Sequence, residues 1–259
     1  MPDPVVPRLA ATLLLLRDGA AGLEVLMTLR HERSGFAAGA LVFPGGKLDP
    51  GDLLLRDRAD PAKAEDPLLD YRIAAIRETF EETGILLART AEGTFLARGG
   101  LAALQRHHEA AEAPLAFGAI LDAARLRLAT DLLTPFAHWI TPVDRPQRFD
   151  THFFVAPAPE GQDAVHDGHE IVDARWTTPT AALAEAAAGR IKLVFATHMN
   201  LVKLARCATA ADVLARAARD EIVAITPEIL RGAAGPILRI PAAAGYELTE
   251  LPAGITLRP

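Results

Sequence analysis

The sequence predicts an α/β fold, a sandwich of helices around a mixed sheet, with a helical insertion and a C-terminal extension. Three observations carry that expectation. Two apolar runs of strand length flank a glycine-containing turn early in the chain. A segment with apolar residues at helical spacing comes later and is closed by a glycine. Beyond it, strand-like and helix-like segments interleave instead of segregating.

In chain order, residues 9–16 and 23–30 are the two apolar runs, and Asp18, Gly19 and Gly22 between them supply a hairpin turn. The first run is far short of the roughly 20 residues a membrane span needs, so it reads as a buried strand. After a loop containing Gly35 and Gly39, Ala40 to Phe43 forms a short strand that stops at Pro44-Gly45-Gly46, where proline and paired glycines end regular pairing. Residues 47–70 read as a loop, because Asp49-Pro50-Gly51-Asp52, Asp60-Pro61 and Asp66-Pro67 are turn formers. From Tyr71 to Thr83, the residues Ile73, Ile76 and Phe80 recur at helical spacing, and Gly84 stands where a left-handed cap is wanted. An Ala- and Leu-rich helical region covers about 99–127, followed by strands at 136–141 and 149–156 with Pro142 and Pro146 between them. A short strand closes at Trp176, Pro179 opens a helix to about 188, and another helix spans roughly 193–206. From 221 onward, Pro227, Gly232, Gly235, Pro236, Pro241 and Gly245 break the chain into short strands and loops. The expected organisation is one domain over 1–210, with a loop insertion at about 53–70 and a helical insertion at about 99–127. Residues 211–259 are an extension packed on the same domain.

Bulk properties narrow the function. With 259 residues, half of them hydrophobic and 23% charged, the chain can bury a full core. A net charge of -6 and the absence of a long basic run argue against nucleic acid as a partner. Cys207 is the only cysteine, which excludes an intrachain disulfide and a thiolate metal cage and suits a reducing, cytoplasmic setting. No membrane partner is expected, Asp18 and Glu24 follow the first apolar run without a cleavage signal, and a homodimer is open.

The chemistry concentrates on one helix. Glu78, Glu81 and Glu82 share a polar arc opposite Ile73, Ile76 and Phe80, and carboxylates this close repel unless a cation sits among them. Arg77, four residues before Glu81, can orient a carboxylate, and the Gly45-Gly46 turn offers backbone carbonyls. Hard oxygen ligands of this kind suit Mg²⁺ or Mn²⁺ bridging to phosphate oxygens. His166 and His169 lack a third histidine or a cysteine to complete a zinc set.

Gly46-x5-Asp52 followed by Arg77-Glu78-Thr79-Phe80-Glu81-Glu82-Thr83-Gly84-Ile85 resembles the Nudix box, G-x5-E-x7-R-E-U-x-E-E-x-G-U with U a bulky aliphatic residue. Asp52 stands where the family has Glu, and Thr79 stands at an aliphatic position. Asp52 and Arg77 are separated by 24 residues where the pattern has 7, an insertion of 24 − 7 = 17. Placed in a loop, that insertion is expected to run over the surface, so that most of 55–68 can be deleted without unfolding the core. The interrupted box, with the segments 33–49, 139–156 and 169–183, is similar to the branch of peroxisomal-type acyl-coenzyme A diphosphatases. A motif carried by coenzyme A-cleaving members, LLTxRSx3Rx3Gx3FPGG, is matched at Leu26, Thr28, Arg30, Gly39 and Phe43-Pro44-Gly45-Gly46, but Met27, His31 and Gly35 depart from it.

The resemblance implies a Nudix-type α/β/α sandwich and hydrolysis of a phosphoanhydride in a nucleotide-containing small molecule. Coenzyme A or acyl-coenzyme A, split to 3',5'-ADP and (acyl-)phosphopantetheine, is the leading substrate. ADP-ribose or another nucleoside diphosphate derivative is the alternative, and a nucleotide sensor without turnover is the reading from another class. Glu78, Glu81, Glu82 and the Gly46 carbonyl are implied metal ligands. Arg77 orients a glutamate, and the general base is either a box glutamate, with Glu81 and Glu82 as catalytic candidates, or a carboxylate from a later loop, for which Glu170 is the candidate. Arg30 and Arg148, with Phe43 and Gly45, are expected at the substrate; Arg145 is a further phosphate candidate, and Phe149, Phe153 and Phe154 are candidates for the floor of an adenine pocket.

Overall fold

Leu13 to Leu16 offer no polar side, and a strand made of them has to be covered on both faces. In the computed structural model it is: β1 (Arg8–Gly19) runs through the centre of a mixed sheet with all four leucines buried. The structure describes residues 5–33, 37–60, 65–96, 100, 101, 104, 114–166, 170–233, 235–247 and 249–252. Gly35 and His169 lie outside the described residues, as does most of the expected helical insertion between 97 and 113.

The turn at Gly19–Gly22 returns the chain antiparallel as β2 (Gly22–Arg30). On its other edge β1 pairs in parallel with β8 (Phe149–Pro157) over the whole of that strand. Antiparallel to β8 lies β7 (Thr134–Ile140), then β10 (Ala224–Ile225) in parallel at one edge. On the far side β2 pairs with β3 (Leu41–Val42) and β9 (Ile171–Thr177). The sheet forks at β1. Residues 16–19 of β1 pair with β2, whereas Ala10, Ala11 and Thr12 pair with β4 (Gly45–Lys47) on the same edge. Ladder pairing therefore resumes immediately after Pro44, where the sequence suggested that it ends.

Alternation along β1 and β8 divides the apolar residues between two cores. Leu13, Leu15, Phe154 and Ala156 face α1 (Leu69–Thr83) and α2 (Pro114–Ala123). Leu14, Leu16, Phe153 and Val155 face α3 (Pro179–Ala187), α4 (Phe195–Leu204) and α5 (Ala210–Ala217). The result is a three-layer α/β/α sandwich. Past α5 come a three-stranded sheet of β11 (Glu228–Gly232), β12 (Gly235–Arg239) and β13 (Glu250–Pro252). Leu238 of that unit joins the second core.

Two expectations are corrected. Residues Pro50–Arg58, read as a surface loop, form a 3₁₀ helix with an Asp49–Asp52 capping box, and Leu55 and Ala59 are buried in the α1-side core. Arg58 clamps Asp122 at the end of α2 with two hydrogen bonds of 2.8 and 2.7 Å. Within this stretch the insertion contributes Leu55 and Ala59 to the core. The helical insertion also ends sooner than 127: α2 stops at Ala123, and Arg127–Leu128 (β6) pairs with Ala88–Arg89 (β5).

On the α1 face of the sheet, three polar side chains gather among apolar neighbours. His138 of β7 lies directly opposite His152 of β8, and Asp150 is two residues before His152. Burial lowers the His152 pKa to about 4, with His138 adding to that effect, so its ring is neutral at physiological pH.

Candidate active site

The carboxylate cluster is built on the last two turns of α1. Ile73, Ile76 and Phe80 anchor the helix in the core, and Gly84 ends it at φ 67°, donating its N–H to the Phe80 carbonyl. Thr79, at a position that favours an aliphatic residue, is fully buried because its hydroxyl donates to the Ala75 carbonyl at 2.7 Å, which satisfies the one polar group it adds.

Arg77 organises the cluster. Its guanidinium is buried and donates to both Asp52 oxygens, at 2.7 and 3.1 Å, and to the Lys47 carbonyl at 3.1 Å. Its remaining nitrogen donates to Glu78 at 3.0 Å and to Glu81 at 2.7 Å. Burial opposes the charge, yet the hydrogen bond to Asp52 and the charges of Glu78 and Glu81 raise its pKa, so it stays cationic. Asp52, across the interruption of the box, thus fixes the arginine that fixes two glutamates.

One guanidinium does not neutralise the cluster. Burial raises the Glu78 pKa against the pull of Arg77. Burial likewise lifts Glu81 from 4.5 to about 7, with Glu78 adding to the shift. Glu82, nearly inaccessible, is raised well above the usual range by burial and by Glu78, while Arg30 and the Gly45 N–H pull the other way. The Gly45 N–H donates to Glu82 at 3.2 Å. Gly45 has φ 153° and no room for a side chain, since a Cβ there would sit 2.4 Å from the Ala11 carbonyl oxygen. At Gly46 a Cβ would lie 2.5 Å from the Glu78 carboxyl carbon, so a side chain there would displace that carboxylate.

These residues fit a divalent ion on their own geometry. Carboxylates whose charged forms are disfavoured by burial and by one another are what a hard dication relieves, and the donors are all oxygen.

Beside the cluster opens a cavity of about 860 Å³. Glu78, Glu82, Gly45, Gly46, Arg30 and Glu170 line its polar end. Glu81 is absent from that lining and sits against Arg77. Arg30 links two elements, donating to Glu170 at 2.5 Å and standing 3.8 Å from Glu82, and its buried Nε has no hydrogen-bond partner among the described residues. Phe43, Arg145, Phe149 and Phe153 also line the cavity, but Phe154 faces the opposite core. Arg148 is absent from that lining: it is buried and donates to the Thr141 and Val5 carbonyls at 3.0 and 2.7 Å.

Several wall residues carried no sequence signal. Trp139, Phe195 and Thr197 line the cavity from β7 and α4, and Pro227 and Leu238 reach it from the C-terminal extension. Alternation along β7 places Trp139 on one face, but only the tertiary pairing says that this face borders the glutamates.

The family model described as the NUDT19 Nudix domain matches residues 55–204. Among solved structures, a Nudix hydrolase from Alicyclobacillus acidocaldarius is similar at 33% identity and TM-score 0.69, covering 82% of this chain and 96% of that one. Curated relatives include the acyl-coenzyme A diphosphatase NUDT19 of Xenopus laevis, 27% identical over 64% of this chain and 56% of its own length. The human protein of that name is 29% identical over 63% and 55%, respectively. A putative nudix hydrolase 7 of Caenorhabditis elegans is 28% identical over 66% and 52%. The chain thus spans little more than half the length of the curated relatives it matches. No helix among the described residues is long and apolar enough to cross a membrane.

Proposed function

Since the chain belongs to the NUDT19 Nudix domain family, we propose that it is a Mg²⁺- or Mn²⁺-dependent diphosphatase for a nucleotide-containing small molecule, with coenzyme A or an acyl-coenzyme A as substrate. The products are then 3',5'-ADP and (acyl-)phosphopantetheine. The observation that carries the reading is the composite cavity, whose lining joins carboxylates and Arg30 to aromatic and aliphatic side chains. A long substrate with a charged diphosphate and a less polar arm suits such a shape.

Glu78, Glu81, Glu82 and the Gly46 carbonyl would hold the metal, which would supply neutralisation of diphosphate charge and would make a water easier to deprotonate. Arg77, pinned by Asp52, keeps Glu78 and Glu81 oriented. Arg30 grips a phosphate; its hydrogen bond to Glu170 and its ion pair with Glu82 hold it at the cavity wall. Glu170 takes the proton of the attacking water, being on the cavity wall and mostly open to solvent. Phe43 and Gly45 shape the wall beside the diphosphate.

The test is a product screen by mass over coenzyme A, short- and long-chain acyl-coenzyme A, ADP-ribose and dinucleotides, with Mg²⁺ or Mn²⁺. Release of 3',5'-ADP from a coenzyme A species at the highest kcat/KM supports the reading. Preference for ADP-ribose over all coenzyme A species overturns the substrate, and it is the second reading that Gly35 favours, since an arginine is missing there. Binding without product favours a sensor.

A further inference from the structure

Away from the cavity, on the opposite face of the sheet, His138, Asp150 and His152 form a set that the proposed hydrolysis does not use. Thr151 and Trp139, a directly opposed pair, line the cavity, so their neighbours in each strand point to the α1 face. One ligand-type atom from each of the three side chains lies within 4.8 Å of the other two. The His138 Nε2 is already 2.5 Å from Asp150 Oδ1, and the two imidazoles stack with centroids 4.0 Å apart and planes 18° from parallel.

We infer that His138, Asp150 and His152 form a second cation site, selective for a transition-metal dication such as Zn²⁺ and distinct from the glutamate site. The strand geometry supplies the template: two ligands at i and i+2 on β8, and a third directly across the ladder on β7. Two imidazoles and one carboxylate are a donor set for Zn²⁺ and its neighbours in the first row, whereas Mg²⁺ prefers oxygen alone. Ligands about 2.0–2.2 Å from a tetrahedral ion stand roughly 3.3–3.6 Å from one another, so side-chain rotations that open the His138–Asp150 pair by about 1 Å and close any wider gap by up to about 1.5 Å complete the set. A hydrogen bond between His138 and Asp150 needs no second imidazole, and a shared ion gives the stacked His152 a reason to be there. Partial exposure of His138 and Asp150, 18% and 24%, leaves an entry path and a position for water. Tyr71, at the start of α1, packs edge-on against His152 with centroids 4.4 Å apart, so an ion here fastens β7 and β8 beneath the helix that carries the glutamates.

The test is Zn²⁺ binding by chelator competition, with Mg²⁺ in large excess to occupy the glutamate site. The full chain is expected to take up one equivalent of Zn²⁺ and to melt at a higher temperature with it. His138→Ala and His152→Ala are each expected to weaken uptake at least tenfold, while Glu78→Gln retains it. Co²⁺ in place of Zn²⁺ is expected to give visible absorption that both histidine variants lose. Asp150→Asn, which keeps the shape of the site, serves if a histidine variant does not fold. No Zn²⁺ uptake by the unaltered chain, or equal uptake after loss of either histidine, overturns the site and leaves a metal-free His–Asp hydrogen bond.

Discussion

Replacing Glu81 by Gln is expected to raise the stability of the metal-free protein while it removes activity. In the folded chain, burial and Glu78 lift the Glu81 pKa from 4.5 to about 7. Between those values the folded state binds a proton that the unfolded state has released, so folding loses stability as pH rises through that window and regains none above it. A shift of 7 − 4.5 = 2.5 units at 1.36 kcal/mol each has an upper bound of about 3 kcal/mol, and the quarter exposure of the side chain reduces this to about 2 kcal/mol. The amide carries no charge to desolvate and still accepts from Arg77. Glu81→Gln is therefore expected to melt with the unaltered protein near pH 4.5 and about 4–8 °C above it at pH 8, in chelator. Added Mg²⁺ reverses the order, because the ion stabilises only the chain that retains its ligand charge, and turnover of the variant falls by several orders of magnitude. Differential scanning calorimetry across pH 4.5–8, with and without metal, reads the three thermal effects, and product release by mass reads turnover. A variant less stable than the unaltered chain at pH 8 without metal would refute the electrostatic account of the cluster.

Other outcomes follow from the same contacts. Asp52→Ala leaves the Arg77 guanidinium buried with its main partner gone, and urea denaturation is expected to show a loss of about 3–5 kcal/mol alongside lost turnover. Leu55→Ala is expected to cost about 2–4 kcal/mol, and deletion of residues 53–60 to prevent folding, read by circular dichroism; a folded deletion product would show that the 3₁₀ helix is dispensable. Arg30→Ala is expected to raise KM for coenzyme A about tenfold, and less for a substrate without the 3'-phosphate, equal effects removing Arg30 from specificity. Arg148→Ala is expected to lower the melting temperature and leave KM unchanged, in contrast to Arg145→Ala, which raises KM.

Local rules carried much of this into the sequence. The spacing of Ile73, Ile76 and Phe80 and the glycine at 84 locate α1, and the hairpin of β1 and β2 follows from its turn residues. The Pro50–Arg58 helix was missed because three successive leucines show no helical period and a 3₁₀ turn has a different one. Its Asp49–Asp52 capping box was nevertheless there to be read, as was the Thr209–Asp212 box that opens α5. The roles of Asp52 and Arg148 were hidden for another reason. An arginine's partner across 25 residues, or across the 143 between Arg148 and Val5, depends on tertiary register that no local pattern records.

The fork in the sheet has a consequence for how the candidate site tolerates change. Because β1 spends one edge on β8 and divides the other between β2 and β4, the rim of the cavity is set by which main-chain atoms are paired. Gly45 stands opposite Thr12 with its N–H turned to Glu82, an orientation that a one-residue slip of β4 would invert. Side chains along the outer walls can drift without moving that donor, whereas a single inserted residue between Leu41 and Lys47 would reverse it. The orientation of that donor is thereby written in main-chain pairing, while Trp139, Phe195 and Leu238 on the cavity wall take no part in it.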